Sequence, residues 1–277
     1  MTTERQHPTT THTSALARGL TLGYGVLSYA VFFATFLYSI GFIGGFGVPT
    51  TLDGHRLLPW GSALGINLGL LTLFALQHSV MARPAFKRWW TRLIPAAIER
   101  STYVLASSLA LIAVFVFWQP LGGMVWQLEH PTVRAALFTA YGAGWALVLY
   151  ATFLINHFDL FGLRQVWLAY RSKPYTQLKF VTPWLYRIIR HPLYLGWLMV
   201  FWFTPTMSLA HLLFAVVTTA YLFVGIRLEE SDLKREHPGY ADYQQRVPMI
   251  VPGLSNKAVS DKNTHTNQKA QAELAAQ

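Results

Sequence analysis

Five stretches of this chain carry no Asp, Glu, Lys or Arg: between Arg18 and Asp53, Arg56 and Arg83, Arg100 and Glu129, Arg134 and Asp159, and Arg190 and Arg227. A helix that crosses a bilayer needs about 20 mostly apolar residues, because its backbone polar groups find no water there and must bond one another. The first four stretches each accommodate one such helix, near 22–43, 60–80, 101–119 and 135–156. The last holds 36 uncharged residues with Thr204-Pro205-Thr206-Met207-Ser208 at its middle. That is too long for one span and just enough for two short ones, near 192–205 and 209–228, or for a re-entrant hairpin. The expectation is an all-α polytopic membrane bundle of about six spans.

Charge sets the orientation. Only 12% of residues are charged, against roughly a quarter in soluble domains, yet the net charge is +10. Lys and Arg accumulate in cytoplasmic loops. With the N-terminus inside, the inner segments hold 20 of the 22 basic residues, and the outer loops hold only Arg56 and Arg134. Both termini are therefore expected in the cytoplasm. The basic excess is a topology signal, which removes nucleic acid as a partner. The absence of cysteine excludes disulfides and thiolate metal sites. Residues 1–16 and 255–277 are polar and read as disordered cytoplasmic tails around a single membrane domain over 17–254. Gly61, Gly65 and Gly69 form a stripe that would let another helix approach the second span closely.

Polar residues beside membrane spans are functional hypotheses by default. In the six-span topology they meet at the cytoplasmic mouth: Gln77-His78-Ser79, Asn156-His157-Phe158-Asp159, Arg190-His191-Pro192 and Arg227-Leu228-Glu229-Glu230. Each has a plainer reading: His78 as a helix cap, Asn156 to Asp159 as a helix stop, and Glu230 with Lys234 as a solvated helical ion pair. Their coincidence at one depth favours a site. Pro192 suits a first helical turn, which turns the positive end of a helix, together with Arg190, towards the cytosol. That is a receptor for a carboxylate or phosphate. Glu229 and Glu230 suit an ammonium, a sulfonium or ribose hydroxyls, so an amino-acid-like cofactor fits both.

R-H-P-L-Y-L-G (190–196) with R-L-E-E-S-D-L-K-R-E-H-P-G-Y-A-D-Y-Q-Q-R-V-P (227–248) resembles the cofactor half of the integral-membrane methyltransferases that act on isoprenylcysteine carboxylates and phospholipids. A-L-Q-H-S-V-M-A-R (75–83) and F-L-I-N-H-F-D-L-F-G-L-R-Q-V (153–166) are similar to the nurim-like branch, most closely its bacterial methanethiol S-methyltransferases. The resemblance implies S-adenosylmethionine as methyl donor, with the cofactor half at 184–252. It assigns Arg190, His191, Tyr194, Glu229, Glu230, Tyr240 and Tyr243 to that cofactor. It also implies residence in a bacterial cytoplasmic membrane and transfer of a methyl group to a small thiol, giving a thioether such as dimethyl sulfide.

A thiol must lose its proton to react, and a histidine near neutrality is the usual acceptor. His78 and His157 are both placed for this, with His78 favoured, and Asp159 is a candidate to orient either imidazole. No metal site is expected, and the partners are the thiol and membrane lipid, without an obligate protein partner. Two alternatives stay open: methylation of a lipid or a prenylated-cysteine carboxylate, and a membrane transport protein with a proton relay at its mouth.

Overall fold

The computed structural model describes residues 14–178 and 181–253. The expected tails lie outside the described residues except for 14–16, where Ser14 caps the first helix and residues 15 and 16 belong to it. Helix α1 (Ala15–Gly44) opens on Ser14, whose side chain accepts from the Ala17 N–H at 3.2 Å, and it ends at Gly45 with φ 76°. Helices α2 (Trp60–Ala82), α4 (Ala96–Phe117), α5 (Pro131–Ile155) and α9 (Leu209–Glu236) join it as the five helices long and apolar enough to cross a membrane. Short helices α3 (Pro84–Trp90), α6 (His157–Leu160) and α7 (Leu163–Tyr170) lie in the connections, and α10 (Tyr240–Arg246) follows α9. The protein is a helical polytopic membrane protein.

The fifth expected span, near 192–205, is the exception. Helix α8 (Pro192–Trp202) stops three residues short of the anticipated end. Its 11 residues reach only about 16 Å at 1.5 Å per residue, half of a hydrocarbon core about 30 Å thick. Pro205 cannot continue a helix, and the chain runs on as extended backbone into β2 (Thr206–Ser208). That strand pairs antiparallel with β1 (Met124–Gln127), which lies between α4 and α5. The Leu128 N–H donates to the Pro205 carbonyl at 2.9 Å and Trp126 Nε1 to the Thr204 carbonyl at 3.1 Å. Thr204, Pro205, Met207 and Ser208 are buried. Non-helical backbone at membrane depth is tolerated only where protein covers and satisfies it, and the ribbon does both.

Helix α8 packs along α5 through two glycines. A Cβ on Gly196 would stand 2.8 Å from Val148 Cγ2 and 2.9 Å from the Gly144 carbonyl. A Cβ on Gly144 would stand 2.9 Å from Met199 Cβ. The stripe on α2 makes no such approach: nothing lies within 4 Å of the Cβ positions of Gly61, Gly65 or Gly69. Cross-links identify the two ends of the bundle. Arg83 pairs with Asp232 at 2.9 Å, joining the ends of α2 and α9. At the other end Asn67 bonds the Gln119 backbone in both directions, at 2.7 and 2.9 Å.

Candidate active site

Four segments meet around one carboxylate at the end of the bundle marked by Arg83 and Asp232. Pro192 starts α8 with His191 as its N-cap residue, as the sequence predicts. The Arg190 and His191 N–H groups donate to the carbonyls of Pro248 and Met249 at 2.9 and 3.0 Å, so the segment after α10 folds back on the start of α8. Glu230, one residue from the surface-exposed Glu229 and itself 8% exposed, receives four donors. Arg190 Nε lies at 2.8 Å and His191 Nε2 at 3.0 Å from Oε1, with the Tyr240 hydroxyl at 3.4 Å; Gln244 Nε2 lies 2.7 Å from Oε2. Its ion-pair partner is Arg190, not Lys234. Arg190 Nη1 donates to the carbonyls of Gln244, at 2.9 Å, and Val247. Most of the guanidinium fork is thus spent on the protein itself, and Nη2 is the nitrogen with no hydrogen bond among the described residues.

Next to this knot lies a more open edge. The Tyr194 hydroxyl donates to Glu229 Oε2 at 2.7 Å, and Tyr243 donates to the Tyr186 carbonyl at 2.5 Å. The Tyr186 hydroxyl is buried and has no hydrogen-bond partner among the described residues. Burial pushes that phenol up, and the nearby Glu229 and Tyr243 push it the same way. Burial likewise pushes the Tyr243 phenol up to about 12 and raises Tyr240, so both stay protonated donors.

His78 sits one turn before the end of α2. Its Nδ1 is 3.2 Å from Ser107 Oγ and its Nε2 is 2.9 Å from the Tyr103 hydroxyl, both on α4, while Phe74 stacks on the ring at 5.3 Å. Ser79 bonds Tyr221 of α9 at 3.0 Å. Tyr103 and Tyr221 both lie within electrostatic reach of Tyr194, so His78 and the Glu229 edge are neighbours.

The other two candidates lie apart. His157 is buried between Tyr29, whose hydroxyl is 2.8 Å from Nε2, and Thr152, 2.8 Å from Nδ1; Phe153 stacks on it at 4.3 Å. Burial lowers its pKa. Asp159 pairs with Arg164 at 2.9 Å and accepts from the Tyr175 hydroxyl at 3.2 Å, and it contacts neither imidazole. The sequence reading did not single out Tyr103, Ser107, Tyr186 or Gln244. Three of these carried a signal: Tyr103 and Ser107 are four apart on an apolar helix and so share a face, and Gln244 stands four after Tyr240.

A methanethiol S-methyltransferase of Crocosphaera subtropica is 51% identical over 254 residues, covering 91% of this chain and 100% of its own length. The chain belongs to the methanethiol S-methyltransferase family. A second member of that family, from Mycobacterium tuberculosis, is 49% identical over 86% of this chain and 98% of its own. A family profile described as a protein of unknown function (DUF1295) matches residues 90–247, which takes in every residue of the Glu230 knot. Nurim of Xenopus laevis is more distant, 30% identical over 65% of this chain and 69% of its own. No solved structure matches the chain.

Proposed function

We propose that this protein is an S-adenosylmethionine-dependent thiol S-methyltransferase that converts methanethiol to dimethyl sulfide. The alignment that spans the full length of a relative named methanethiol S-methyltransferase supports methyl transfer to that thiol. The residues at the open edge suit the donor. Glu229 is exposed near the buried Tyr186 hydroxyl, and among the described residues neither that hydroxyl nor Arg190 Nη2 has a hydrogen-bond partner. Glu229 would take the ammonium or the ribose hydroxyls, and Arg190 Nη2 the carboxylate. The bound donor supplies an electrophilic methyl group on a sulfonium.

With the donor bound, the thiolate sulfur would form the new carbon–sulfur bond as the methyl–sulfonium bond breaks, and the released electron pair would stay on the donor's sulfur. The thiol proton goes to a base, which we assign to His78. Its partners Tyr103 and Ser107 are hydroxyls that donate or accept, so they follow the imidazole through a change of protonation. His157, held on both nitrogens by α1 and α5, serves packing, and Asp159 anchors the segment around Tyr175. Both termini face the cytoplasm in this reading, which supplies the donor.

Membranes containing the protein, given S-adenosylmethionine and a panel of methanethiol, longer alkane thiols and a prenylated cysteine, should release dimethyl sulfide into the headspace from methanethiol. Methylation of the prenylated cysteine with no volatile product would overturn the reading in favour of a lipid-type substrate.

A further inference from the structure

A separate pocket of about 430 Å³ opens at the same end of the bundle, between α3, the start of α4, and α7 with the loop after it. Its charged and polar lining is Lys87, Glu99, Arg100, Gln165, Lys173 and Tyr175. Three cations share the space with one carboxylate. Among the described residues none of the three makes an ion pair, whereas Arg83, Arg164, Arg190 and Arg235 each have a carboxylate partner. Arg100 instead stands over the Tyr103 ring, 5.6 Å from its centroid. Burial lowers the pKa of Lys87, and the neighbouring Arg100 lowers it further, against the opposing pull of Glu99 and Glu236. Gathering like charges at a half-buried place is unfavourable unless an anion joins them.

Two further features narrow the ligand. Gln165 Oε1 is buried with no hydrogen-bond partner among the described residues, while its Nε2 donates to the Asp159 carbonyl at 3.1 Å. With Glu99 it offers acceptors beside the cations, so the anion should carry a donor of its own. Trp89 on α3 and Trp167 on α7 are each 50% exposed. Exposed tryptophans beside basic residues mark the level of lipid headgroups.

We propose that this pocket binds a phosphate ester that carries a neighbouring hydroxyl or amine, at the level of the lipid headgroups. The same chemistry is offered by an anionic lipid headgroup such as phosphatidylglycerol and by a soluble phosphoester.

Native mass spectrometry of the detergent-solubilised full chain separates the sources. The probes are dihexanoyl phosphatidylglycerol, dihexanoyl phosphatidylcholine and glycerol 3-phosphate. Saturable binding of the phosphatidylglycerol probe, with phosphatidylcholine (which has no donor) failing to compete, supports the site and names a lipid. Binding of glycerol 3-phosphate alone supports it and names a soluble ester. The double variant Lys87→Gln/Lys173→Gln should weaken binding about 30-fold, the factor two cations contribute at an anionic lipid surface. Lys234→Gln/Arg235→Gln, which removes the same charge outside the pocket, should leave it unchanged. Equal weakening by both double variants, or none by the first, would overturn the proposal.

Discussion

Around Glu230, donors from α10 and from the start of α8 converge on one carboxylate and include a full positive charge. Around His78, by contrast, the polar partners are two neutral hydroxyls from a single helix. The first arrangement neutralises a buried charge and ties the start of α8, the end of α9, α10 and the segment after it together, so its removal should damage the architecture. The second leaves an imidazole whose partners accept either protonation state, so its removal should damage the reaction and spare the fold.

The sharpest test of that contrast is His78→Ala. Loss of a general base lowers rates by about 10²–10⁴-fold. Turnover in the headspace assay should fall by that order, with donor affinity and melting temperature near wild type, and raising the pH should restore part of the rate by ionising the thiol. A variant that unfolds, or one with full activity, would erase the distinction between the two regions.

Arg190→Ala should do the converse. It leaves Glu230 buried beside an empty place, and breaking a buried pair costs about 3–5 kcal/mol. The melting temperature in detergent should drop steeply. Arg190→Lys should not recover it, because an ammonium cannot reach Glu230 and the Gln244 and Val247 carbonyls in a planar fork.

The support beneath the knot is open to a smaller test. Gly196→Ala places a Cβ against the Gly144 carbonyl and Val148, and overpacking of this kind costs about 1–3 kcal/mol. Gly65→Ala on the open face of α2 should cost no more than a few tenths and even gain helix propensity, since Ala exceeds Gly by about 1 kcal/mol in a helix.

The smallest effect concerns His157. Its folded pKa lies below the ordinary 6.5 because burial disfavours the imidazolium. The unfolded chain therefore takes up the proton first, and the stability this group contributes is whole above pH 6.5 and lost as the pH falls through the folded value. The stability gap between wild type and His157→Gln should narrow over that window.

The spans were legible because charge is absent over lengths that only a membrane helix uses, and the start of α8 was legible from Pro192. The beginnings of the other spans were less so, since a helix runs past the apolar stretch wherever its side chains reach water: α1 begins at Ala15. The ribbon between β1 and β2 was hidden. Pro205 announces a break in the helix, but nothing in Thr204 to Ser208 says which distant segment will satisfy the backbone beyond it. The same holds for Arg190 and Glu230. Their charges were visible and their approach was not, so both were read as facing a ligand when each largely faces the other. Asp159 was the opposite case. Its partner Arg164 stands five residues away, and a local pairing was there to be read. For the glycines, repetition misled: the patterned trio on α2 is open, while Gly144 and Gly196, single residues on two helices, make the close contact.

The shortness of α8 bears on how the chain is made. Membrane proteins enter the bilayer as they are synthesised, and a segment of 11 helical residues followed by bare strand cannot hold a transmembrane position by itself. Everything it needs is translated earlier: β1, whose edge takes β2, and the α5 surface at Gly144 that admits Gly196. The front of the chain is thus a template on which the rear is laid down, and the Glu230 knot can close only after α10 has emerged. A ribosome stalled after α8 should expose a segment that slips back to the surface, whereas one stalled beyond Met249 should not.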